Sequence, residues 1–156
     1  MVRLQIRKTV FEKILEEEKK HGDLEFGGWL VINNSIVTDI IFDIEKQSES
    51  YVKFDCKKLL TFPKRVRNRV RGWQHKHPIL GLSGLDWKTV FRLTKFWGEC
   101  YTLVLQPNRK LLAIHSAYGK EISTVFPDFT PQLHYGPTFF EIDRKEYDID
   151  DYKPKG

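Results

Sequence analysis

The chain has 156 residues, the size of one domain, and its 40% hydrophobic and 30% charged residues are typical of a folded globular protein. Its apolar runs are too short to cross a bilayer, and residues 1–5 lack the apolar stretch of a secretory signal. We therefore expect a cytoplasmic protein with no membrane association. The cysteines, Cys56 and Cys100, have no CxxC partner, which argues against a cysteine-based zinc site and favours two reduced thiols.

Helices and strands are predicted to alternate along most of the chain. The predicted strands cover residues 4–7, 25–32, 36–44, 51–54, 72–77, 101–105, 111–114 and 138–142. One helix is predicted from an N-cap at Thr9 to about His21, where Gly22 ends it. A second is predicted from Cys56 towards Val70, with an interruption at Pro63 and an inner face of Leu59, Leu60, Val66 and Val70. A third is predicted from Ser83 to Gly98.

This order predicts an α/β fold with a mixed β-sheet and helices on both of its faces, because some strands follow helices and others follow tight turns. We expect a single domain over residues 1–156. Its core would cover about 4–116, and 117–156 would be a C-terminal extension packing on that core.

The segment from His75 to Asp86 contains a candidate metal site. Residues two apart on a strand face the same side, so His75 and His77 would present their imidazoles together. Asp86 lies one turn into the following helix and can bring a carboxylate to the same point. Two histidines and a carboxylate are a common ligand set for catalytic zinc, with water in the fourth position.

Such a site also needs a proton acceptor that does not bind the metal. Glu25 is the candidate, because it opens a central strand and is followed by Gly27-Gly28, which allow close approach of another backbone. Ser83 would lie near the metal, where its hydroxyl could donate to a developing oxyanion. Taken alone, Ser83-x-x-Asp86 could equally be a helix cap, and Glu25 could be a solvated residue at the entrance of a strand.

These residues together resemble the JAMM (JAB/MPN+) zinc metalloprotease family, and its compact prokaryotic members in particular. The resemblance rests on Glu25 with Gly27-Gly28, on the segment 73–78 that reads Trp-Gln-His-Lys-His-Pro, and on Ser83-Gly84-Leu85-Asp86. Five residues separate His77 from Ser83, where the family usually has a slightly longer loop.

The resemblance implies a single-domain JAB/MPN sandwich, similar to that of cytidine deaminases. It implies one Zn²⁺ per chain on His75, His77 and Asp86, with Glu25 as acid/base and Ser83 as oxyanion stabiliser. The implied activity is hydrolysis of an isopeptide or peptide bond next to the C-terminus of a ubiquitin-like or sulfur-carrier-like protein substrate.

Two other classes of function stay open. Many MPN domains have lost their metal ligands and act as scaffolds, although all the ligand residues are present here. The second alternative rests on the basic stretch 57–71, which could bind nucleic acid, dock an acidic partner or form a solvated face. Its seven cationic residues are Lys57, Lys58, Lys64, Arg65, Arg67, Arg69 and Arg71. Nucleobase deamination is rejected, since neither H-x-E nor P-C-x-x-C is present.

Overall fold

The fold is built around a mixed sheet. The computed structural model describes residues 4–54, 56–78, 82–107, 111–117, 121–124, 132–133, 139–142 and 145–148. The helices are α1 (Lys8–His21), α2 (Lys64–Arg67), α3 (Gly84–Trp97) and a 3-10 helix (Cys56–Thr61). The strands are β1 (Leu4–Arg7), β2 (Gly27–Asn33), β3 (Ile36–Phe42), β4 (Lys46–Gln47), β5 (Val52–Lys53), β6 (Val70–Lys76), β7 (Glu99–Leu105), β8 (Leu111–Ala117), β9 (Glu121–Thr124), β10 (Gln132–Leu133), β11 (Phe139–Ile142) and β12 (Lys145–Asp148).

Ten of these strands form one sheet in the order β10-β11-β1-β3-β2-β6-β7-β8-β9-β12. The β1–β3 and β6–β7 pairs are parallel, while the other pairs are antiparallel. Strands β4 and β5 form a separate hairpin. The fold is therefore mixed α/β, as the alternation of helices and strands predicts.

Helices α1 and α3 cover different sets of sheet residues, and β7 shows the division. Its Leu103 and Leu105 belong to the buried cluster that contains Val10 and Ile14 of α1. Its Cys100 belongs to a second cluster, which contains Val90 of α3. Because successive side chains of a strand point to opposite faces, the helices pack on opposite faces of the sheet, as predicted.

The ends of two helices test the predicted capping residues. Helix α3 has Ser83 at its N-cap and Gly98 at its C-cap with φ of 83°, which confirms the predicted ends. Gly22 ends α1 with φ of 57°, also as predicted. The predicted N-cap of α1 is wrong: Thr9 lies inside the helix, and Arg7 occupies the cap without a side-chain hydrogen bond.

The single helix predicted from Cys56 to Val70 is also wrong. The chain forms a 3-10 helix and the short α2 on either side of Pro63, whose missing N–H and fixed φ disfavour continuation of a helix through it. Val70 already belongs to β6. Leu60, expected on the inner face, is 70% exposed.

Three further findings bear on the sequence predictions. No helix among the described residues is long and apolar enough to cross a membrane. Cys100 is a free, buried thiol, and burial raises its pKa to about 12, so it is unreactive at neutral pH. The last predicted strand corresponds to β11, which pairs with β1.

Candidate metal centre

The end of β6 presents two histidines to the α3 side of the sheet. Trp73 and His75 lie on this side, with their rings stacked at a centroid distance of 4.7 Å, and His77 follows directly after the strand. Lys76 faces the other way, since its Nζ donates to the Gly22 carbonyl at the end of α1. The alternation expected of the His-x-His segment is therefore present. Both imidazoles are buried, His75 at 2% and His77 at 5% exposure.

Helix α3 supplies the carboxylate, and a capping box fixes its place. The Asp86 backbone N–H donates to Ser83 Oγ at 3.2 Å, and the Ser83 N–H donates to Asp86 Oδ2 at 2.9 Å. The helix-cap interpretation of Ser83-x-x-Asp86 is thus correct, and it is compatible with a role in the cleft. A serine hydroxyl that accepts a bond at the cap still has its own proton to donate.

The three candidate ligands converge on one point. Asp86 Oδ1 lies 3.2 Å from His75 Nε2, and Asp86 Oδ2 lies 3.1 Å from His77 Nε2. One ligand atom from each residue lies within 4.8 Å of the others. In a tetrahedral zinc site with ligands about 2 Å from the metal, two ligand atoms stand about 3.3 Å apart. The donor set and its spacing fit a zinc ion.

Asp86 is held in its charged form by its surroundings. Burial alone would raise the pKa of this carboxyl, but the adjacent His75 and His77 and the Ser83 N–H outweigh burial and hold it well below its usual range. A carboxyl that stays ionised keeps its lone pairs available for a cation across the physiological pH range.

Glu25 reaches the same cleft from the chain just before β2. Its backbone is held by the β4–β5 hairpin, because the Glu25 N–H donates to the Ser48 carbonyl at 2.8 Å and Gln47 Nε2 donates to the Glu25 carbonyl at 2.9 Å. The side chain is only 4% exposed. Burial raises the Glu25 pKa to about 7, with His77 lowering it in part and Asp86 raising it further. This carboxyl can therefore take and return a proton near neutral pH.

The two glycines after Glu25 allow the central strands to approach closely. Gly27 is the cross-strand partner of His75 on β6. A Cβ at Gly27 would collide with the Gln74 carbonyl oxygen and the Phe54 ring, and one at Gly28 would stand 2.5 Å from the Ile41 carbonyl oxygen. The predicted reason for this pair, close backbone approach, is confirmed.

All five predicted site residues line one cleft of about 60 Å³. The cleft also has a wall that the sequence analysis missed, formed by the β4–β5 hairpin on one side and the exposed face of α3 on the other. These lining residues are Ser50, Tyr51, Val52, Leu85 and Thr89. The alternation of Tyr51-Val52-Lys53-Phe54 predicted a strand here. No feature of the neighbouring sequence indicated that this strand would lie beside Glu25.

Several buried polar atoms in the cleft have no hydrogen-bond partner among the described residues. They are Glu25 Oε1 and both ring nitrogens of His75, whose 3.2 Å contact with Asp86 lacks hydrogen-bond alignment. Buried polar groups are nearly always satisfied in folded proteins, so these atoms are available to water, a ligand or an ion. Glu25 Oε1 lies outside the candidate ligand set, so it adds a polar atom that a bound group could satisfy.

Two other described histidines have ordinary partners outside this site. His115 Nε2 lies 3.1 Å from Glu99 Oε2, and its ring stacks on Tyr101. His21 lies 3.1 Å from Glu17 and from the Gln47 amide. Neither therefore belongs to the candidate metal centre, while His134 lies outside the described residues.

Comparison with known proteins adds no assignment. The sequence matches none of the protein-family models against which it was compared, and no curated protein matches it significantly. The resemblance to JAMM metalloproteases therefore stays a prediction carried by the motif residues.

Proposed function

We propose that this chain is a zinc-dependent JAMM-type isopeptidase or peptidase of the JAB/MPN fold. It would hydrolyse a bond next to the C-terminus of a ubiquitin-like or sulfur-carrier-like protein. The observation that carries the proposal is the convergence of His75, His77 and Asp86 in a buried cleft. An unpartnered oxygen of Glu25, a carboxyl that is not part of the ligand set, lines the same cleft.

His75, His77 and Asp86 would hold the metal. A bound Zn²⁺ supplies Lewis acidity, which polarises a carbonyl and lowers the pKa of a water to about 7. Glu25 takes a proton from the attacking water and returns it to the nitrogen of the leaving amine, so that the C–N bond breaks as the new C–O bond forms. The Ser83 hydroxyl donates to the carbonyl oxygen as negative charge develops there.

The walls of the cleft support an extended peptide as substrate. Tyr51 and Val52 belong to a two-stranded hairpin, and Leu85 and Thr89 lie opposite on α3. A narrow slot beside a short strand suits a substrate tail with small side chains, which can lie alongside the strand in β conformation. The C-terminal tails of ubiquitin-like proteins have this character.

The test compares wild type with a His75→Ala/His77→Ala variant and with Glu25→Gln. Metal content is measured after purification without added zinc, and turnover is measured on a panel of ubiquitin-like fusions. We expect about one zinc per wild-type chain, none in the double variant, and full zinc in Glu25→Gln with turnover reduced about 100- to 10,000-fold. Glu25→Gln is the matched control, since it keeps the ligands and the shape of the cleft.

Two results would overturn the proposal. Wild-type protein that fails to bind zinc even when incubated with the metal would point to a non-catalytic scaffold. Undiminished turnover in Glu25→Gln would remove Glu25 from the proton transfers.

A further inference from the structure

A second apolar surface lies beyond the cleft, between the 3-10 helix, α2 and α3. It surrounds a cavity of about 380 Å³, and we call it the Leu60–Phe96 surface. Its residues include Leu59, Leu60, Arg67, Arg92, Leu93 and Phe96. Leu60 is 70% exposed and Phe96 is 76% exposed. Large apolar side chains that border one depression and remain open to water are typical of interaction sites.

The charged side chains that line this surface, Arg67 and Arg92, are positive. From residue 56 to residue 85 the chain has no Asp or Glu. Arg67 Nη1 donates to the Leu60 carbonyl oxygen at 3.5 Å, and no carboxylate of a described residue forms an ion pair with Arg67 or Arg92. Arg92 and Lys95, both on α3, are exposed. A complementary partner therefore carries negative charge.

The mixture of features favours a protein over a nucleic acid. Nucleic-acid surfaces combine backbone-tracking cations with aromatic platforms for stacked bases. Here the two arginines border a depression that is lined by leucines as well as by Phe96 and Trp97. Such a depression accepts a bulky apolar side chain, and arginine forks pair well with carboxylates beside it.

We propose that the Leu60–Phe96 surface docks a protein segment in which a bulky apolar side chain is flanked by carboxylates. The apolar side chain fills the cavity, while the carboxylates pair with Arg67 and Arg92. This binding does not depend on the proposed catalytic activity, because none of the cleft residues takes part in it.

If the proposed function also holds, a protein bound at this surface would lie near the cleft. A further cavity of about 370 Å³ runs between the two sites. It shares Trp29, Arg92 and Leu93 with the Leu60–Phe96 surface, and it shares residues such as Val52, Trp73 and Thr89 with the cleft. A protein docked at the far end would therefore be held beside a continuous depression that leads along α3 to Glu25 and His75.

The proposal is tested with a random peptide library displayed on phage, selected on the full chain. Enriched peptides are then synthesised with a fluorescent label and titrated by anisotropy. We expect motifs that combine Asp or Glu with Phe, Leu or Trp, with affinity that falls as salt rises. Binding should weaken about tenfold or more in Phe96→Ala and in Arg92→Glu, since anchor residues of this kind dominate interfaces.

Lys19→Glu on α1 is the matched control, because it makes the same change of charge at an exposed position away from this surface. Thermal unfolding and zinc content should be unchanged in every variant, which separates a loss of docking from a loss of fold or of the metal site. Failure to enrich acidic-apolar peptides, or equal binding to wild type and Phe96→Ala, would overturn the proposal. So would an oligonucleotide that binds more tightly than the peptides and depends on Arg92 but not on Phe96.

Discussion

Two buried polar regions on the α3 side of the sheet differ in how well their hydrogen-bonding groups are satisfied. Behind α3, Thr94 Oγ1 lies 2.6 Å from both the Val90 carbonyl oxygen and Ser116 Oγ, and Trp73 Nε1 donates to Thr102 Oγ1 at 2.8 Å. In the cleft, Glu25 Oε1 and both nitrogens of His75 form no hydrogen bond with a described residue.

The difference agrees with the proposed function, in which the polar groups of the cleft face a ligand. A buried donor or acceptor without a partner costs about 1–3 kcal/mol, and the network behind α3 shows that this fold can avoid that cost. In the cleft, the unsatisfied atoms of Glu25 and His75 carry this cost, as expected if a bound ligand supplies the missing partners. Gln74, on the opposite face, is also buried without a partner for its amide, and nothing in the structure explains it.

The largest effect in this comparison is expected at Ser83. This residue caps α3, and it is also the proposed oxyanion donor in the cleft. Ser83→Ala should lower turnover about 100- to 1,000-fold through loss of the oxyanion donor. It should also lower the free energy of unfolding by about 1 kcal/mol through loss of the cap. Ser83→Thr keeps a hydroxyl for both roles and should restore most of each. Steady-state kinetics and urea unfolding measure the two effects. Full turnover in Ser83→Ala would leave Ser83 as a cap only.

The next effect concerns the acidity of Glu25 in zinc-free protein. Its folded pKa of about 7 lies above the ordinary value of 4.5, so between these pH values the folded state holds a proton that the unfolded state has lost. The free energy of unfolding must therefore fall as pH rises through this range. Each pKa unit is worth about 1.4 kcal/mol, so the expected fall in the free energy of unfolding is about 3 kcal/mol.

Glu25→Gln removes this dependence. In chelated protein the variant should match wild type near pH 4 and exceed it in free energy of unfolding by about 3 kcal/mol near pH 8. Urea unfolding at a series of pH values gives the comparison. Parallel pH profiles for the two proteins would show that Glu25 titrates normally.

The smallest effect tests the satisfied network. Thr94→Val conserves shape but removes the contact with Ser116, and it should cost about 1 kcal/mol in the free energy of unfolding. Adding Ser116→Ala should recover part of that loss, because both partners are then apolar. A double-mutant cycle by urea unfolding measures the coupling. Zinc content should stay the same throughout, and a loss of zinc would mean that the two regions are not separate.

The sequence predicts those features that short-range rules control. Helix α3 begins and ends as predicted because Ser83 and Gly98 are strong local capping signals. His75 and His77 share a side because alternation along a strand is fixed by its geometry. Helix packing on both faces follows from two independent apolar patterns.

Features that depend on distant contacts could not be predicted. The β4–β5 hairpin forms in a polar segment, and it is fixed by bonds from Gln47 and Ser48 to Glu25, more than twenty residues away. The exposure of Leu60 likewise depends on tertiary structure, because the helix is interrupted at Pro63 and β6 begins at Val70. The apolar content of 56–70 predicts burial, whereas the structure places part of it on an exposed surface.

The capping box at α3 has a consequence for how this chain could be re-engineered. Asp86 is placed by Ser83 at the start of α3, while His75 lies on β6 and His77 follows it, so the candidate ligands are positioned by separate elements. The position of the carboxylate can therefore be changed through the cap of α3 without altering the strand that carries the histidines.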